Sequence, residues 1–224
     1  LYKPASINSP LHWGQKYEPV SIEFYKKMYN TEITDFGCIK HPKYYYIGAS
    51  PDGINTDPTN LRYGRMLEIK NIVNREINGI PKMEYWIQMQ VQMETCDLNE
   101  CDFLETKFIE YSNKEEYLSD ITDKYKGSFL QFIDDKDTPI YFYPPFMLNN
   151  IESKEYINWK NEIINTNNNL EFIKTIYWKL EVISCVLVLR NNLWFNSILP
   201  SIELFWNNLV YERETEKYKD LSNT

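Results

Sequence analysis

Asp52 lies in a Ser50-Pro51-Asp52-Gly53 turn, directly after the aromatic, β-prone run Tyr44 to Ala49. Glu68 and Lys70 lie in Leu67-Glu68-Ile69-Lys70, inside a run from Arg65 to Val73 whose alternation reads as a strand. Side chains two apart on a strand share a face, so Glu68 and Lys70 point the same way. If the two strands pair, Asp52 converges on that face. Two carboxylates held close repel each other and call for a hard divalent cation between them. Mg²⁺ suits such a pair, because it binds through one or two carboxylates and keeps places for water and substrate phosphate. Lys70 could orient or deprotonate an attacking water, or neutralise charge on the phosphate. That chemistry is metal-assisted hydrolysis of a phosphodiester. Taken singly, each motif also has an ordinary reading: a solvated strand face and a tight turn.

The elements that must position these residues follow from local signals. Ser9-Pro10 reads as an N-cap with Pro at the first helical position, and the spacing of Tyr17, Val20, Phe24 and Met28 predicts an amphipathic helix over 10–30. A loop follows to about Lys43. Asp57-Pro58-Thr59-Asn60 is a second turn, leaving room for only a very short strand between the two turns. Pro81 opens a helix to about Thr95, and Cys101 to Tyr111 reads as a strand. On that helix Tyr85, Gln88 and Gln92 share one stripe. Glutamines there suit hydrogen bonds to phosphate, water or a carboxylate. Beyond Tyr111 we expect helices over 114–132, around Tyr156, Trp159 and Ile163, along Ile173, Tyr177, Leu180, Ser184 and Leu187, and along Ile198, Ile202, Phe205 and Leu209 with Pro200 at its start. Residues 182–189 also read as a strand, and 139–145 as a short aromatic strand or loop. The expected fold is α/β: a mixed sheet flanked by helices over 1–112, with a mainly helical C-terminal extension over 113–224.

The chain has 224 residues, 43% hydrophobic and 25% charged, which excludes wholesale disorder. No apolar run approaches the ~18–20 residues that span a bilayer. The opening LYKPASINSP lacks the order of a signal peptide and a starting Met, as a processed piece would. Lys and Arg number 24 against 32 Asp and Glu, a net charge of −8. Such a chain cannot hold nucleic acid by a diffuse positive field, so contact must be concentrated. Arg62, Arg65, Lys70 and Arg75 straddle the Glu68 strand and are the phosphate candidates; Tyr85, and one or two of Tyr44 to Tyr46, are candidates for DNA contact. Cys38, Cys96, Cys101 and Cys185 are irregularly spaced, which argues against a disulfide scaffold or zinc ribbon and for an intracellular protein. His12 and His41 show no ligand spacing. Trp159, Trp178, Trp194 and Trp206 read as core or subunit contacts.

Together these residues carry a resemblance. Gly48-Ala49-Ser50-Pro51-Asp52-Gly53 followed by Leu67-Glu68-Ile69-Lys70 resembles the PD-(D/E)XK nuclease signature. Tyr85-Trp86-Ile87-Gln88-Met89-Gln90 looks like a Tyr-x-x-Gln-x-Gln helix, and Trp13-Gly14-Gln15-Lys16-Tyr17-Glu18-Pro19 like a WG-x-x-x-E helix. In that order they resemble the phage lambda exonuclease or YqaJ-type viral recombinase family, over about residues 12–108, in a PD-(D/E)XK restriction-endonuclease-like core. The usage of Asn, Ile and Lys suggests a mimivirus-like giant virus, and CRISPR-associated RecB-like nucleases share the core.

The resemblance implies that Glu18, Asp52, Glu68 and the Ile69 carbonyl are metal ligands for Mg²⁺ or Mn²⁺, that Lys70 is the catalytic lysine, and that Gln88 sits near the metal. It implies a DNA exonuclease acting on duplex ends, with single strands as a further substrate. The alternatives are an endonuclease or flap-type cutter, or a non-catalytic DNA-binding recombination module. No iron–sulfur cluster is expected, since the cysteines are not grouped. A homo-oligomer, dimer or trimer, is expected through the stripe of Tyr156, Trp159, Trp194, Ile198 and Phe205, with no membrane association and an intracellular location, the host cytoplasm or virus factory if viral. Two departures stand out: Lys70 is followed by Asn71-Ile72 without the family's nearby proline, and no segment matches the one that grips a 5′ phosphate.

Overall fold

The structure is a computed structural model and describes residues 9–146 and 148–216. In chain order its elements are α1 (Pro10–Tyr29), β1 (Ile33–Thr34), β2 (Ile39–Lys40), β3 (Gly48–Ala49), β4 (Gly53–Asn55), β5 (Met66–Asn71), α2 (Met83–Cys96) and β6 (Glu100–Glu110). There follow α3 (Lys114–Ser119), β7 (Lys126–Ile133), β8 (Pro139–Phe142), α4 (Lys154–Thr166), β9 (Glu171–Leu189) and α5 (Asn192–Glu214). Seven strands form a mixed sheet in the order β1-β4-β5-β6-β9-β7-β8, and β2 pairs with β3 in a separate antiparallel ladder. This is the expected α/β layer of a sheet flanked by helices. Two compact units divide the chain: Leu1–Ile33, Ile69–Ile80 and Phe103–Val186 form the first, and Thr34–Glu68, Pro81–Asp102 and Leu187–Thr224 the second.

In the first unit α1 begins where its sequence signals place it. The Ser9 side chain accepts from the His12 N–H at 3.1 Å, Pro10 follows, and Asn30 closes the helix in the left-handed region (φ 46°). Its buried stripe runs through Tyr17, Val20, Ser21, Phe24 and Tyr25. Met28, expected on that stripe, is exposed. Tyr17, Val20 and Phe24 pack into one core with Phe108, Phe129, Ile176, Trp178 and Leu180. A second cluster joins Tyr111, Tyr117, Ile151 and Tyr156, so Tyr156 lies inside the fold and not on an outward stripe.

The half beyond Tyr111 is mixed in type, where the spacing predicted mainly helices. Only Lys114–Ser119 of the expected 114–132 helix is helical; Asp120 leaves helical geometry, and its carboxylate accepts from the Tyr111 hydroxyl and the Lys179 ammonium at 2.7 and 3.0 Å. Residues 126–133 are a strand buried on both faces, polar Ser128 and Gln131 included, so its sequence gives no clean alternation to read. Gly127 belongs there for a steric reason: a Cβ would come within 2.4 Å of the Trp178 ring. The expected helix along Ile173 to Leu187 is β9, antiparallel to β7, with Ile176, Trp178 and Leu180 buried at period two. The last expected helix is present as α5, with Pro200 inside it instead of at its start.

In the second unit β4 and β5 form a short antiparallel pair with Gly53 opposite Leu67 and Ile54 opposite Met66. The turn at 57–60 is held by the Asp57 carboxylate, which accepts from the Thr59 N–H and hydroxyl at 2.9 and 2.7 Å. The α5 helix packs its Phe195 and Trp206 onto residues 41–46: Phe195 stacks on His41, and Trp206 stacks on Tyr46 and donates its Nε1–H to the Tyr45 hydroxyl at 3.1 Å. Only Gly48–Ala49 of the tyrosine run is strand, and Tyr45 and Tyr46 are partnered by Trp206.

Candidate active site

The second unit assembles the site around Glu68. The side chain sits on β5, two residues from Met66, and is 0% exposed. Burying a carboxylate is costly unless its oxygens are bonded. Here α2 supplies a donor to each oxygen: exposed Gln88 donates Nε2–H to Oε1 at 2.8 Å, and buried Gln92 donates to Oε2 at 2.9 Å. Residues four apart on a helix share a face, so one side of α2 presents both amides to one carboxylate. The Gln92 Nε2 also reaches the Ser50 carbonyl at 3.3 Å. It thereby ties Glu68 to the Ser50-Pro51-Asp52 turn. Asp52 is half-buried and directly precedes Gly53, which pairs with Leu67, the neighbour of Glu68.

The amide orientation of Gln92 follows from its partners. A carboxylate and a carbonyl only accept, so Nε2 must face both. That leaves Gln92 Oε1 as a buried acceptor with no hydrogen-bond partner among the described residues. An unfilled acceptor next to an enclosed carboxylate is what a hydrated divalent cation would satisfy, through a water that donates to Oε1. Among the described residues no group of three or more His, Cys, Asp or Glu side chains stands ready to hold a metal. Carboxylate and amide oxygens are hard donors, the kind that Mg²⁺ and Mn²⁺ take and that thiolate- or imidazole-bound metals do not.

Glu18 and Lys70 belong to the first unit, Glu18 half-buried on α1 and Lys70 half-buried on β5, directly after the buried Ile69. Burial first, then the charges of Tyr141 and Glu18, push the Tyr143 hydroxyl well above the usual tyrosine range, which marks Tyr143 as a neighbour of Glu18. Lys70 stays on the same strand face as Glu68 by strand alternation.

Residues 2–99 match the YqaJ-like viral recombinase domain, a span that holds Glu18, Asp52, Glu68, Lys70, Gln88 and Gln92. An uncharacterized protein of Acanthamoeba polyphaga mimivirus is 31% identical over 250 residues, covering 94% of this chain and 45% of that protein. The chain thus spans about half the length of that curated relative. The crystal structure of an alkaline exonuclease from Laribacter hongkongensis matches with a TM-score of 0.51 at 20% identity, over 98% of this chain and 78% of that one. The same enzyme in complex with dAMP matches equally, with a TM-score of 0.51 and 20% identity over 99% and 78%. The chain therefore shares the fold of that exonuclease over nearly its whole length.

Around the YqaJ-like motifs the basic residues have partners that spacing could not show. Arg62 and Arg65 both bind Asp102, at 2.5 and 3.1 Å, and Arg65 also binds Glu100 at 2.7 Å. Arg75 pairs with Glu105. Asp102 and Glu105 are 1% and 0% exposed. The three arginines thus neutralise buried acids of β6, a structural duty beside any contact with phosphate. Tyr85 is half-buried on α2 with the Lys82 ammonium 6.0 Å from its ring. Gln92 is the site residue that motif matching alone leaves out; its place one turn after Gln88 is the signal that points to it.

Proposed function

We propose that this chain is a divalent-metal-dependent deoxyribonuclease that acts as an exonuclease on the ends of duplex DNA. The observation that carries the reading is the enclosed Glu68 carboxylate, bonded on both oxygens by Gln88 and Gln92, with Gln92 reaching on to the turn that bears Asp52. A fully buried acid bracketed by amides on one helix face is an arrangement for holding a carboxylate in one orientation. Mg²⁺ or Mn²⁺ would be held by Asp52 and Glu68, with the Ile69 carbonyl and Glu18 as further oxygen ligands. When bound, the cation supplies Lewis-acid stabilisation of charge on the phosphate. Lys70, on the Glu68 face of the strand, neutralises the phosphate or takes the proton of the attacking water. Exonuclease action draws support from the alkaline exonuclease fold and from the YqaJ-like domain.

Assembly as a dimer or trimer draws on α5, whose Leu193, Leu204 and Phe205 are exposed. We place the protein inside the infected cell on the strength of its mimivirus relative; among the described residues no helix is long and apolar enough to cross a membrane.

The test is digestion of end-labelled linear duplex and closed circular DNA, with Mg²⁺ and with EDTA. Exonuclease action predicts end-labelled mononucleotides from the linear form only. Cutting of the circle moves the reading to an endonuclease. Asp52→Asn and Glu68→Gln each lower turnover by orders of magnitude while DNA binding survives, since neither change removes a positively charged side chain that could contact phosphate. Near-normal turnover in either variant, or cleavage in EDTA, refutes the site.

A further inference from the structure

The first unit buries a polar network that the proposed chemistry does not use. Asn71 directly follows Lys70 at the end of β5. Its Oδ1 accepts from the Ser21 hydroxyl at 2.7 Å and from the Thr106 hydroxyl at 2.6 Å, and its Nδ2 donates to the Gly14 carbonyl at 2.9 Å. Ser21 and Thr106 lie 3.0 Å apart, both 0% exposed. The orientation of the amide is settled by its partners, because the carbonyl only accepts and Nδ2 must face it. Ile72 then bonds its N–H to the Thr106 carbonyl at 2.7 Å, which holds the strand end in register with β6.

The contacts on α1 are informative by their spacing. Gly14, Glu18 and Ser21 are separated by four and three residues, so they lie on one face of the helix with Glu18 between the two anchor points. In an α-helix the Gly14 carbonyl is also the acceptor for the Glu18 N–H. The next residue is Pro19, which has no N–H for the Gln15 carbonyl and crowds it. The helix therefore supports itself least at the turn that carries Glu18. Two side chains brace that turn from outside: Asn71 on the Gly14 carbonyl, and the Tyr143 hydroxyl on the Lys16 carbonyl at 2.7 Å.

We propose that Asn71 is a positioning residue, which sets Glu18 relative to Lys70 by gripping α1 at Gly14 and Ser21 from the position next to the lysine. The inference rests on the nuclease reading. It also accounts for the place where the chain departs from its resembling family: the strand end after Lys70 carries a side chain that donates and accepts.

The experiment measures kcat and KM on end-labelled duplex at saturating Mg²⁺, with melting temperature in EDTA, for Asn71→Ala, Asn71→Asp, Ser21→Ala and Thr106→Ser. Asn71→Ala lowers kcat about 10- to 100-fold with KM within about threefold, as expected when a reacting group is misplaced without loss of substrate contacts. Asn71→Asp keeps the acceptor for both hydroxyls but turns a carboxylate oxygen towards the Gly14 carbonyl, so it loses at least as much turnover as Asn71→Ala. Thr106→Ser keeps the hydroxyl and with it wild-type turnover. The inference is overturned if Asn71→Ala keeps kcat within about threefold, or if kcat follows melting temperature across all four variants, as a purely structural network requires. A wild-type chain that cleaves no DNA overturns the nuclease reading and this inference with it; active wild type with undiminished Asn71→Ala overturns the inference alone.

Discussion

Replacing Gln92 by Met separates what the glutamine does for folding from what it does for the site. Met is unbranched and close in volume, so it fills the same space at small packing cost. The substitution removes the Gln92 donor on Glu68, a charge-assisted bond of about 1.5–3 kcal/mol, and the longer bond to Ser50 at 3.3 Å, which contributes about 0.5 kcal/mol. It also removes Oε1, a buried acceptor without a partner among the described residues, whose burial costs about 1–3 kcal/mol. These terms oppose each other, so the net change in stability without metal stays within about 2.5 kcal/mol, a shift of at most about 10 °C in melting temperature. Turnover has no such compensation. Glu68 loses the Gln92 donor and gains freedom to rotate, and the carboxylate loses its tie to the Asp52 turn. If about 1.4–3 kcal/mol of orientation is lost from the transition state, kcat falls about 10- to 150-fold. The assay is single-turnover digestion of end-labelled duplex across a Mg²⁺ series, with melting in EDTA alongside. Turnover within about threefold of wild type at saturating Mg²⁺ refutes the reasoning, as does a melting collapse large enough to explain the loss.

Three further outcomes follow from the geometry. Lys70→Ala abolishes cleavage with little change in Mg²⁺ affinity measured by calorimetry, and Lys70→Arg also fails because a guanidinium is planar, bulkier and always charged; a fully active Lys70→Arg chain leaves the lysine only a charge role. Gly127→Ala drives a Cβ to 2.4 Å from the Trp178 ring and destabilises the chain by about 1–3 kcal/mol, read as a lower melting temperature with altered tryptophan fluorescence; unchanged melting contradicts the close approach. The hydroxyl of Tyr111, then the Lys179 ammonium, hold the Asp120 carboxyl down at about 2. A lowered carboxylate contributes stability that is full above its unfolded value near 4 and is lost as pH falls towards 2. The stability gap between wild type and Tyr111→Phe therefore shrinks over that window in urea melts, and a gap that stays constant down to pH 2 rejects the assignment.

The sequence by itself determined the parts whose signals are local. Ser9-Pro10 caps α1, the Leu67-Glu68-Ile69-Lys70 alternation makes β5, and the Pro-Asp-Gly turn, the strand and the glutamine helix follow in the order that the site needs. Each signal lies within a few residues of the backbone it shapes, so it can be read without knowing the fold. Tertiary structure alone decided the rest. The partners of Arg62, Arg65 and Arg75 lie 30 to 40 residues away on β6, and the roles of Gln92 and Asn71 depend on which carbonyls and carboxylates the packing brings to them. The same limit explains β9. Residues four apart fall on one face in a helix and in a strand alike, so Ile173, Tyr177 and Leu187 fit either reading. What makes the segment a strand is its antiparallel pairing with β7, where Gly127 lies opposite Trp178 and gives the indole its space, and no spacing within the segment contains that partner.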